Sequence, residues 1–295
     1  MRGCGPNLPG PDIKTDPFMP RFAANLTFLF TELPFLDRFE AAARAGFRGV
    51  EFHYPFSFDP ADIRARLDVH GLEAVLMNIR AGKPERGEWG FAGLPGRKET
   101  FRLCVIEAID YAMALGITQL NCLAGVKPPE VDVRSCELRF IDNVRRAAEE
   151  CGKVGLTLNI EALNTRDVPG FLISNTRDAM RIINEIGATN VMLQYDWYHM
   201  QIMETWRGNA APEIDHPDSR ANMLADTIRL LLPMIGHMQF ADAPGRHEPG
   251  TGLIDFPTLF EYVDAIGYQG WIGAEYRPSG KTEDSLAWME AYLPQ

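Results

Sequence analysis

The sequence lacks paired cysteines, a long hydrophobic run and an excess of basic residues. Its five cysteines are odd in number and show no CxxC spacing, which favours reduced thiols in a cytoplasm over a disulfide framework. No segment approaches the ~18 consecutive apolar residues of a membrane span, so we expect a soluble, cytoplasmic protein without a membrane partner. A net charge of −11 opposes a nucleic-acid partner, because phosphate binding depends on clustered Lys and Arg.

The first 20 residues are rich in proline and glycine and lack the continuous apolar segment of a secretory signal. They predict a disordered N-terminal leader over residues 1–20, followed by one domain over residues 21–295. Met19 is an alternative start, since the first strand-like run begins just after it.

A repeated pattern organises the rest of the chain: an amphipathic segment ends at a glycine, and an apolar, β-prone run follows. Glycine is the favoured residue after a helix end, and the loops from helix to strand are short. The pattern occurs in AGFRGVEF from Ala45, HGLEAVLM from His70, LGITQLNC from Leu115, VGLTLNIE from Val154, IGATNVMLQYD from Ile186, IGHMQF from Ile235 and IGYQGWIGAEY from Ile266.

The run RFAANLTF from Arg21 adds an eighth strand, so each of eight predicted strands is followed by a segment compatible with a helix. Alternating strands and helices form a parallel sheet, and eight such units close a barrel. We therefore predict an α/β fold, a single (β/α)8 TIM barrel. An open doubly wound sheet is the alternative, although no GxGxxG opens a helix after the first strand. Helices are predicted over residues 59–70, 133–154 and 256–266.

Polar residues end the predicted strands, which is where TIM barrels carry their catalytic groups. Strands five to eight end near Glu161, Asp196, Gln239 and Glu275, and adjacent strands bring such side chains together. An all-oxygen, anionic cluster repels itself unless a cation is present, and hard divalent ions prefer these ligands. We predict a Mg²⁺ or Mn²⁺ site on these four residues, against the alternative that each acid is a helix cap or a salt-bridge partner. Other polar strand ends are Glu51, His53, Asn78, Asn159, Gln194 and Asp242.

Glu161 and Glu275 complete strongly β-prone runs and do not start helices, which makes them the preferred catalytic pair. Proton transfer next to a carbonyl needs a base, an acid and a Lewis acid, and two glutamates with a metal between them supply all three. His199, three residues after Asp196, is predicted to hold a substrate hydroxyl or carbonyl, with a solvated loop histidine as the alternative. Trp89, Phe91 and Trp197 are candidates either for walls of the site or for packing.

Long stretches of the chain resemble the hydroxypyruvate isomerase family, within the xylose-isomerase-like TIM barrels. They are FAANLTFLFTELPFLDRF from Phe22, IEALNTRDVPGF from Ile160, QYDWYHMQIME from Gln194, HMQFADAPGRHEPGTGLIDF from His237 and GAEYRP from Gly273. The resemblance implies an enzyme of glyoxylate metabolism that interconverts hydroxypyruvate and 2-hydroxy-3-oxopropanoate (tartronate semialdehyde). It implies Glu161 and Glu275 as the proton donor and acceptor, and metal ligands at Glu161, Asp196, Gln239 and Glu275.

Several other functions stay open at this point. A 2-oxotetronate isomerase would apply the same chemistry to a four-carbon acid, and a ketose 3-epimerase would apply it to a neutral sugar. Arg246 and Arg277 follow site strands and are predicted to bind a substrate carboxylate, which a neutral sugar lacks. A barrel endonuclease would need several histidine ligands and a basic groove, and a scaffold protein would not need the acidic strand ends. We therefore predict a small hydroxy or keto acid as the partner, while assembly into a homo-oligomer stays open.

Overall fold

The structure is a computed structural model, and it describes residues 20–205 and 217–292. Its strands are β1 (Arg21–Asn25), β2 (Gly49–Phe52), β3 (Glu73–Asn78), β4 (Gln119–Cys122), β5 (Thr157–Glu161), β6 (Val191–Asp196), β7 (Ile235–Phe240) and β8 (Trp271–Ala274). Its α-helices are α1 (Arg38–Arg44), α2 (Pro60–His70), α3 (Lys98–Leu115), α4 (Val133–Lys153), α5 (Thr176–Ile186), α6 (Trp197–Met200), α7 (Pro217–Leu231) and α8 (Phe256–Ala265).

The eight strands form a closed parallel barrel in chain order. Closure is made by β1 and β8, where Phe22 pairs with Ile272 and Ala24 pairs with Ala274. This confirms the predicted TIM barrel and excludes the open sheet. Helices cover the outer face of the strands, so both faces of each strand are buried, which explains the nearly continuous apolar runs in the sequence.

Glycine ends the helices as the repeated pattern predicts. Gly71, Gly116 and Gly187 follow α2, α3 and α5 with φ values of 63°, 71° and 71°, a left-handed conformation that side chains with a Cβ rarely adopt. At the other end of α2, the Asp59 side chain accepts a hydrogen bond from the Ala61 backbone N–H at 2.8 Å. The three helices predicted in detail are α2, α4 and α8, and their bounds agree with the prediction to within one residue.

The segment after β8, which the sequence indicates as compatible with a helix, forms 3-10 turns over Glu283–Ser285 and Ala287–Tyr292 and not an α-helix. The Ser285 hydroxyl donates to the Thr282 carbonyl at 2.7 Å, and the Tyr276 hydroxyl donates to the Ser285 carbonyl at 3.2 Å. These contacts occupy carbonyls that an α-helix would use, and such side-chain bonds compete with helix formation.

An aromatic cluster supports the strands that carry two of the predicted site residues. Phe22 of β1 lies 4.8 Å from Phe260 of α8 and 5.0 Å from Trp288, measured between ring centroids, and Phe240 of β7 lies 5.1 Å from Trp288. Trp197 packs 5.4 Å from Phe260 and is fully buried, so it is core and not a wall of the site. The C-terminal turns are thereby packed onto β1, β7 and β8.

The structure covers the predicted N-terminal leader and the predicted location only in part. The predicted leader over residues 1–20 lies, apart from Pro20, outside the described residues, and β1 begins at Arg21. Within residues 20–205 and 217–292, none of the helices has the length and apolar character that crossing a membrane requires. The cytoplasmic location stays a prediction.

Candidate active site

A cavity of about 1010 Å³ opens at the carboxyl ends of the barrel strands. Polar and charged side chains from five different strand ends or the loops that follow them line it, among them His53, Tyr54, Glu161, His199, Arg246 and Glu275. Catalytic groups of TIM barrels collect at this end of the barrel. The structure therefore brings both predicted glutamates and both predicted arginines to the border of one space, since Arg277 also lines it.

Glu161 and Asp196 are the last residues of β5 and β6, and both are buried. One carboxyl oxygen of Glu161 accepts a hydrogen bond from the Asn121 amide at 2.7 Å. Asp196 Oδ1 caps α6 by accepting from the Tyr198 backbone N–H at 2.8 Å. Its other oxygen, Oδ2, is buried and has no hydrogen-bond partner among the described residues. Asp196 thus combines the helix-cap role with a carboxylate oxygen that is free for a ligand.

Burial and neighbouring negative charges make both carboxyl groups hard to ionise. Burial, reinforced by the charges of Glu275 and Asp196, holds the pKa of Glu161 well above its usual value. Burial raises the pKa of Asp196 to about 7, although the nearby Arg246 opposes this. Placing carboxylates together in a dry site disfavours their charged forms, and a bound cation relieves that cost.

Glu275 follows β8 directly and has a different environment. Its Oε1 is ion-paired with Arg246, while its Oε2 lies 3.3 Å from His53 Nε2 and 3.0 Å from the Asn25 amide nitrogen. The Gln239 amide nitrogen also donates to Oε2. Burial acts to raise the pKa of Glu275, but the positive fields of His53 and Arg246 lower it more, so its pKa lies below the ordinary value.

Gln239 lies where the sequence placed it but is not oriented as a ligand. Its amide oxygen accepts from Gln194 at 2.6 Å, and its amide nitrogen donates to Glu51 at 2.7 Å and to Glu275. Two carboxylates face this amide, so the N–H groups point toward them. Among the described residues, the ligand atoms that lie within 4.8 Å of one another belong to Glu161, Asp196 and His199.

His199 is part of α6 and is only 1% exposed, so the alternative of a solvated loop histidine is wrong. Its Nδ1 accepts a hydrogen bond from the Asn164 backbone N–H at 3.1 Å, which places the ring proton of the neutral imidazole on Nε2. Burial, together with the charge of Arg246, holds the pKa of His199 well below its ordinary value. Nε2 lies 3.6 Å from Asp196 Oδ2. His199 is therefore a neutral N–H donor at the cavity.

The two predicted anchor arginines occupy different depths of the cavity. Arg246, in the loop after β7, pairs with Glu275 and lies 3.7 Å from Asp196 Oδ2, with its guanidinium 4.9 Å from the Phe28 ring centroid. Its Nε is buried without a partner among the described residues. Arg277 is exposed at the mouth, and its backbone N–H donates to the Arg246 carbonyl at 2.7 Å. Arg246 is thus the buried cation of the site.

Comparison with known proteins identifies the fold family. Residues 39–292 match the family model described as Xylose isomerase-like TIM barrel. The chain belongs to this family.

Two curated relatives in this family are isomerases by name. The hydroxypyruvate isomerase of Escherichia coli is 42% identical over 274 residues, covering 93% of this chain and 100% of that protein. The 2-oxo-tetronate isomerase of Cupriavidus necator is 41% identical over 275 residues, covering 93% of this chain and 99% of that protein. These similarities confirm the predicted family and agree with the predicted isomerase class.

A solved structure is similar along almost the whole chain. It is named AP endonuclease, family 2, from Brucella melitensis, and it is 40% identical with a TM-score of 0.85. The match covers 94% of this chain and 100% of that one. The predicted barrel architecture is thereby supported by an experimental fold.

Sequence analysis missed Tyr54, which lines the cavity, and Asn25, which contacts Glu275. Tyr54 has an Asn78 hydrogen bond; burial first, and then the charges of Glu161 and Glu275, raise the pKa of Tyr54 to about 12. Asn25 ends β1 and contacts Glu275, so the rule of polar strand ends, applied to the first strand, would have found it. Tyr54 follows a strand end by two residues, where no such rule applies.

Asp242 was counted among the acidic strand ends, yet it does not border the cavity. Its carboxylate is fully buried and accepts hydrogen bonds from four backbone N–H groups, those of Ala243, Gly250, Gly252 and Ile254. It therefore organises the loop that carries Arg246.

Proposed function

We propose that this protein is a hydroxypyruvate isomerase, which interconverts hydroxypyruvate and tartronate semialdehyde. The observation that carries the proposal is that two buried glutamates, Glu161 and Glu275, border one cavity with the guanidinium of Arg246 beside them. The names of the E. coli and C. necator relatives support the same reaction class.

The reaction requires that C3 of hydroxypyruvate lose a proton and that C2 gain one, while the hydroxyl proton moves from O3 to O2. One glutamate removes the carbon-bound proton and the other delivers a proton to the neighbouring carbon. Glu161 and Glu275 suit this division because their contacts differ: an amide donor from Asn121 for the first, and Arg246 with His53 for the second. A pair of carboxyl groups in unlike environments can act as acid and base at one pH.

Neighbouring donors stabilise the negative charge that develops on the substrate oxygens. Arg246 has an unpartnered buried Nε, which suits a second contact to the substrate carboxylate. His199 presents its Nε2–H, as its hydrogen bond with Asn164 requires. Fixed donors in a dry site stabilise a developing oxyanion more than water does, because they need no reorganisation.

A divalent metal fits the residues of this site. The unpartnered, buried Oδ2 of Asp196 and the nearby Glu161 carboxylate are oxygen donors of the kind that Mg²⁺ and Mn²⁺ prefer. Both would hold the ion, with Glu275 as the further ligand suggested by the family resemblance. Gln239, the fourth ligand of that resemblance, would have to turn its amide oxygen away from Gln194 to join them. The bound ion would supply Lewis-acid stabilisation of the substrate oxygens. His199 is a weaker ligand candidate, since its Nε2 carries a proton.

Two other functions compete with this proposal. A 3-epimerase acting on a neutral sugar would not need the buried Arg246 beside its glutamates. An endonuclease would need clustered histidine ligands and a basic surface, whereas the metal-compatible group here has one histidine and the chain carries a net charge of −11. A 2-oxotetronate isomerase would use the same residues, and the cavity has room for a four-carbon acid.

The test is a proton NMR assay in D₂O with hydroxypyruvate, tartronate semialdehyde and 2-oxotetronate as separate substrates. We expect exchange at C3 of hydroxypyruvate and appearance of the aldehyde. Glu161→Gln and Glu275→Gln should each lower kcat by about 10²- to 10⁴-fold, the usual contribution of general acid–base catalysis. Glu107→Gln, which removes a surface carboxylate paired with Arg80, is the control. Near-normal turnover in either site variant rules out the two-glutamate mechanism, and a higher kcat/KM on 2-oxotetronate reassigns the substrate.

A further inference from the structure

A buried polar network lies beside Glu275 in the barrel interior, and the proposed chemistry does not use it. Glu51 of β2 and His237 of β7 both have side chains without solvent exposure, and His237 Nε2 lies 2.6 Å from Glu51 Oε2. The other oxygen, Oε1, accepts from the Asn25 amide at 2.9 Å and from the Gln239 amide at 2.7 Å. Glu51 therefore has three hydrogen-bond partners on two other strands: Asn25 on β1, and His237 and Gln239 on β7.

The two amides connect Glu51 to Glu275. An amide NH₂ group has two hydrogens, and Asn25 Nδ2 also donates to Glu275 Oε2 at 3.0 Å, while Gln239 Nε2 donates to the same oxygen. Gln194 donates to the Gln239 amide oxygen at 2.6 Å, which fixes the orientation of that amide. Each amide thus bridges the two carboxylates, with one hydrogen directed to each.

The glycine at position 273 leaves space for the Glu51 carboxylate. A Cβ on Gly273 of β8 would lie 2.4 Å from Glu51 Oε1, so a side chain there would displace Glu51. Glu161, the other proposed catalytic glutamate, has a hydrogen bond from one amide, that of Asn121, and no comparable bridge to a second buried acid among the described residues. The arrangement is therefore specific to Glu275.

A buried ionic network of this kind contributes little to stability, because apolar side chains of the same volume would fill the barrel at lower desolvation cost. Its effect on the geometry of the site is larger than its effect on stability. With Oε2 held by two amides, the carboxylate of Glu275 has a fixed orientation, and its Oε1 is directed to Arg246. Misplacement of a reacting group by about 1 Å can lower a rate by about 10²-fold.

We propose that Glu51, held by His237, is a positioning residue that fixes the carboxylate of Glu275 through the Asn25 and Gln239 amides. This inference rests on the proposed role of Glu275 in proton transfer. Without the acceptor on Glu51, the two amides lose the partner that orients them, and Glu275 rotates away from its reactive position.

The experiment uses Glu51→Leu, which removes all acceptors at similar volume, and Glu51→Gln, which keeps one acceptor oxygen for the amides. The control is Asn159→Leu, since Asn159 is equally buried in the barrel and its side chain bonds Gln119 at 3.0 Å. We expect kcat to fall about 10- to 100-fold in Glu51→Leu and less in Glu51→Gln, with KM within about threefold of wild type.

Hydrogen exchange in D₂O, measured from hydroxypyruvate and from tartronate semialdehyde, separates positioning from a general structural defect. Because the two glutamates serve different carbons, Glu161→Gln and Glu275→Gln should each lose hydrogen exchange from a different one of the two substrates. Glu51→Leu should show a weaker form of the loss seen in Glu275→Gln and not of that seen in Glu161→Gln. If Glu51→Leu loses exchange and isomerisation equally from both substrates, as a poorly folded variant would, the inference is overturned. A kcat within twofold of wild type overturns it as well.

A crystal structure of Glu51→Leu tests the same inference without reference to turnover. We expect the Glu275 carboxylate to be rotated or disordered relative to wild type, and an unchanged Glu275 overturns the positioning role. If the wild-type protein acts on neither keto acid, the proposed function fails, while this structural comparison still decides whether Glu51 orients Glu275.

Discussion

Asp242 holds the loop that carries Arg246, so Asp242→Asn should loosen that loop while leaving the barrel closed. Oδ1 accepts the buried N–H groups of Ala243 and Ile254 at 2.9 and 3.1 Å, and Oδ2 accepts those of Gly250 and Gly252 at 2.9 and 2.7 Å. Arg246 is tied to the same residue, because its backbone N–H donates to the Asp242 carbonyl at 3.0 Å.

The size of the effect follows from these contacts. Asparagine keeps one oxygen, which stays with the buried pair of donors, and its NH₂ group then faces the N–H groups of Gly250 and Gly252. An unsatisfied buried donor costs about 1 to 3 kcal/mol, but both glycines are exposed enough for water to offset part of this. We expect a loss of about 2 to 4 kcal/mol in the free energy of unfolding, with roughly 2 to 4 °C lost from Tm per kcal/mol.

Urea unfolding and steady-state kinetics measure the two consequences. Because Arg246 is the proposed carboxylate anchor, KM should rise by about 10-fold or more, equivalent to about 1.4 kcal/mol. The matched control is Asp255→Asn, which changes the N-cap of α8 by the same atoms and should cost less than about 0.5 kcal/mol, since Asn and Asp are comparable caps. If Asp242→Asn unfolds like this control and keeps its KM, the carboxylate does not organise the loop.

Three further predictions follow from the site and its surroundings. Arg246→Met should raise KM by about 30- to 150-fold, whereas Arg277→Met should change it less than about threefold; equal effects in steady-state assays would contradict the assignment of the buried arginine as the anchor. Mn²⁺ should raise the Tm of the wild type but not that of Asp196→Asn, and a shift in both would place the ion elsewhere. Burial raises the pKa of Cys151 to about 12 and that of Cys122 higher, so at pH 8 both thiols stay protonated and iodoacetamide labelling, read by mass spectrometry, should need denaturant.

The barrel was predictable because its signals are local. A helix that ends at glycine and a strand buried on both faces each produce a pattern within about ten residues, and eight repeats determine the architecture. Strand register is not local. β6 pairs with β7 through Asp196 and Gln239, but the register shifts between Leu193 and Gln194. A shift of one residue turns a side chain to the other face of a strand, so the sequence could not decide which strand-end residues face the cavity.

Acids that look equivalent in the sequence have different partners in the structure. Asp196 and Asp242 both come at the end of an apolar strand. Asp196 has one carboxyl oxygen at the site without a hydrogen-bond partner in the part of the chain that the structure describes, whereas both oxygens of Asp242 accept hydrogen bonds from a loop. Gln239 shows the same limit, because its amide nitrogen and not its oxygen faces the carboxylates. Composition and spacing identify groups that can coordinate or transfer protons, but the direction of a side chain depends on contacts between distant strands.

The proposed mechanism requires two carboxyl groups that are chemically different, although the barrel repeats one structural unit. Here the difference comes from the neighbours of each strand end. Glu161 receives a hydrogen bond from an amide of β4. Glu275 is surrounded by Asn25 of β1, His53 after β2 and Arg246 after β7. The two side chains are the same, so the chemical difference between them comes from the residues that contact each glutamate and not from the glutamates themselves. Variants of Glu51 or His237 should therefore alter the function of Glu275 while leaving that of Glu161 intact.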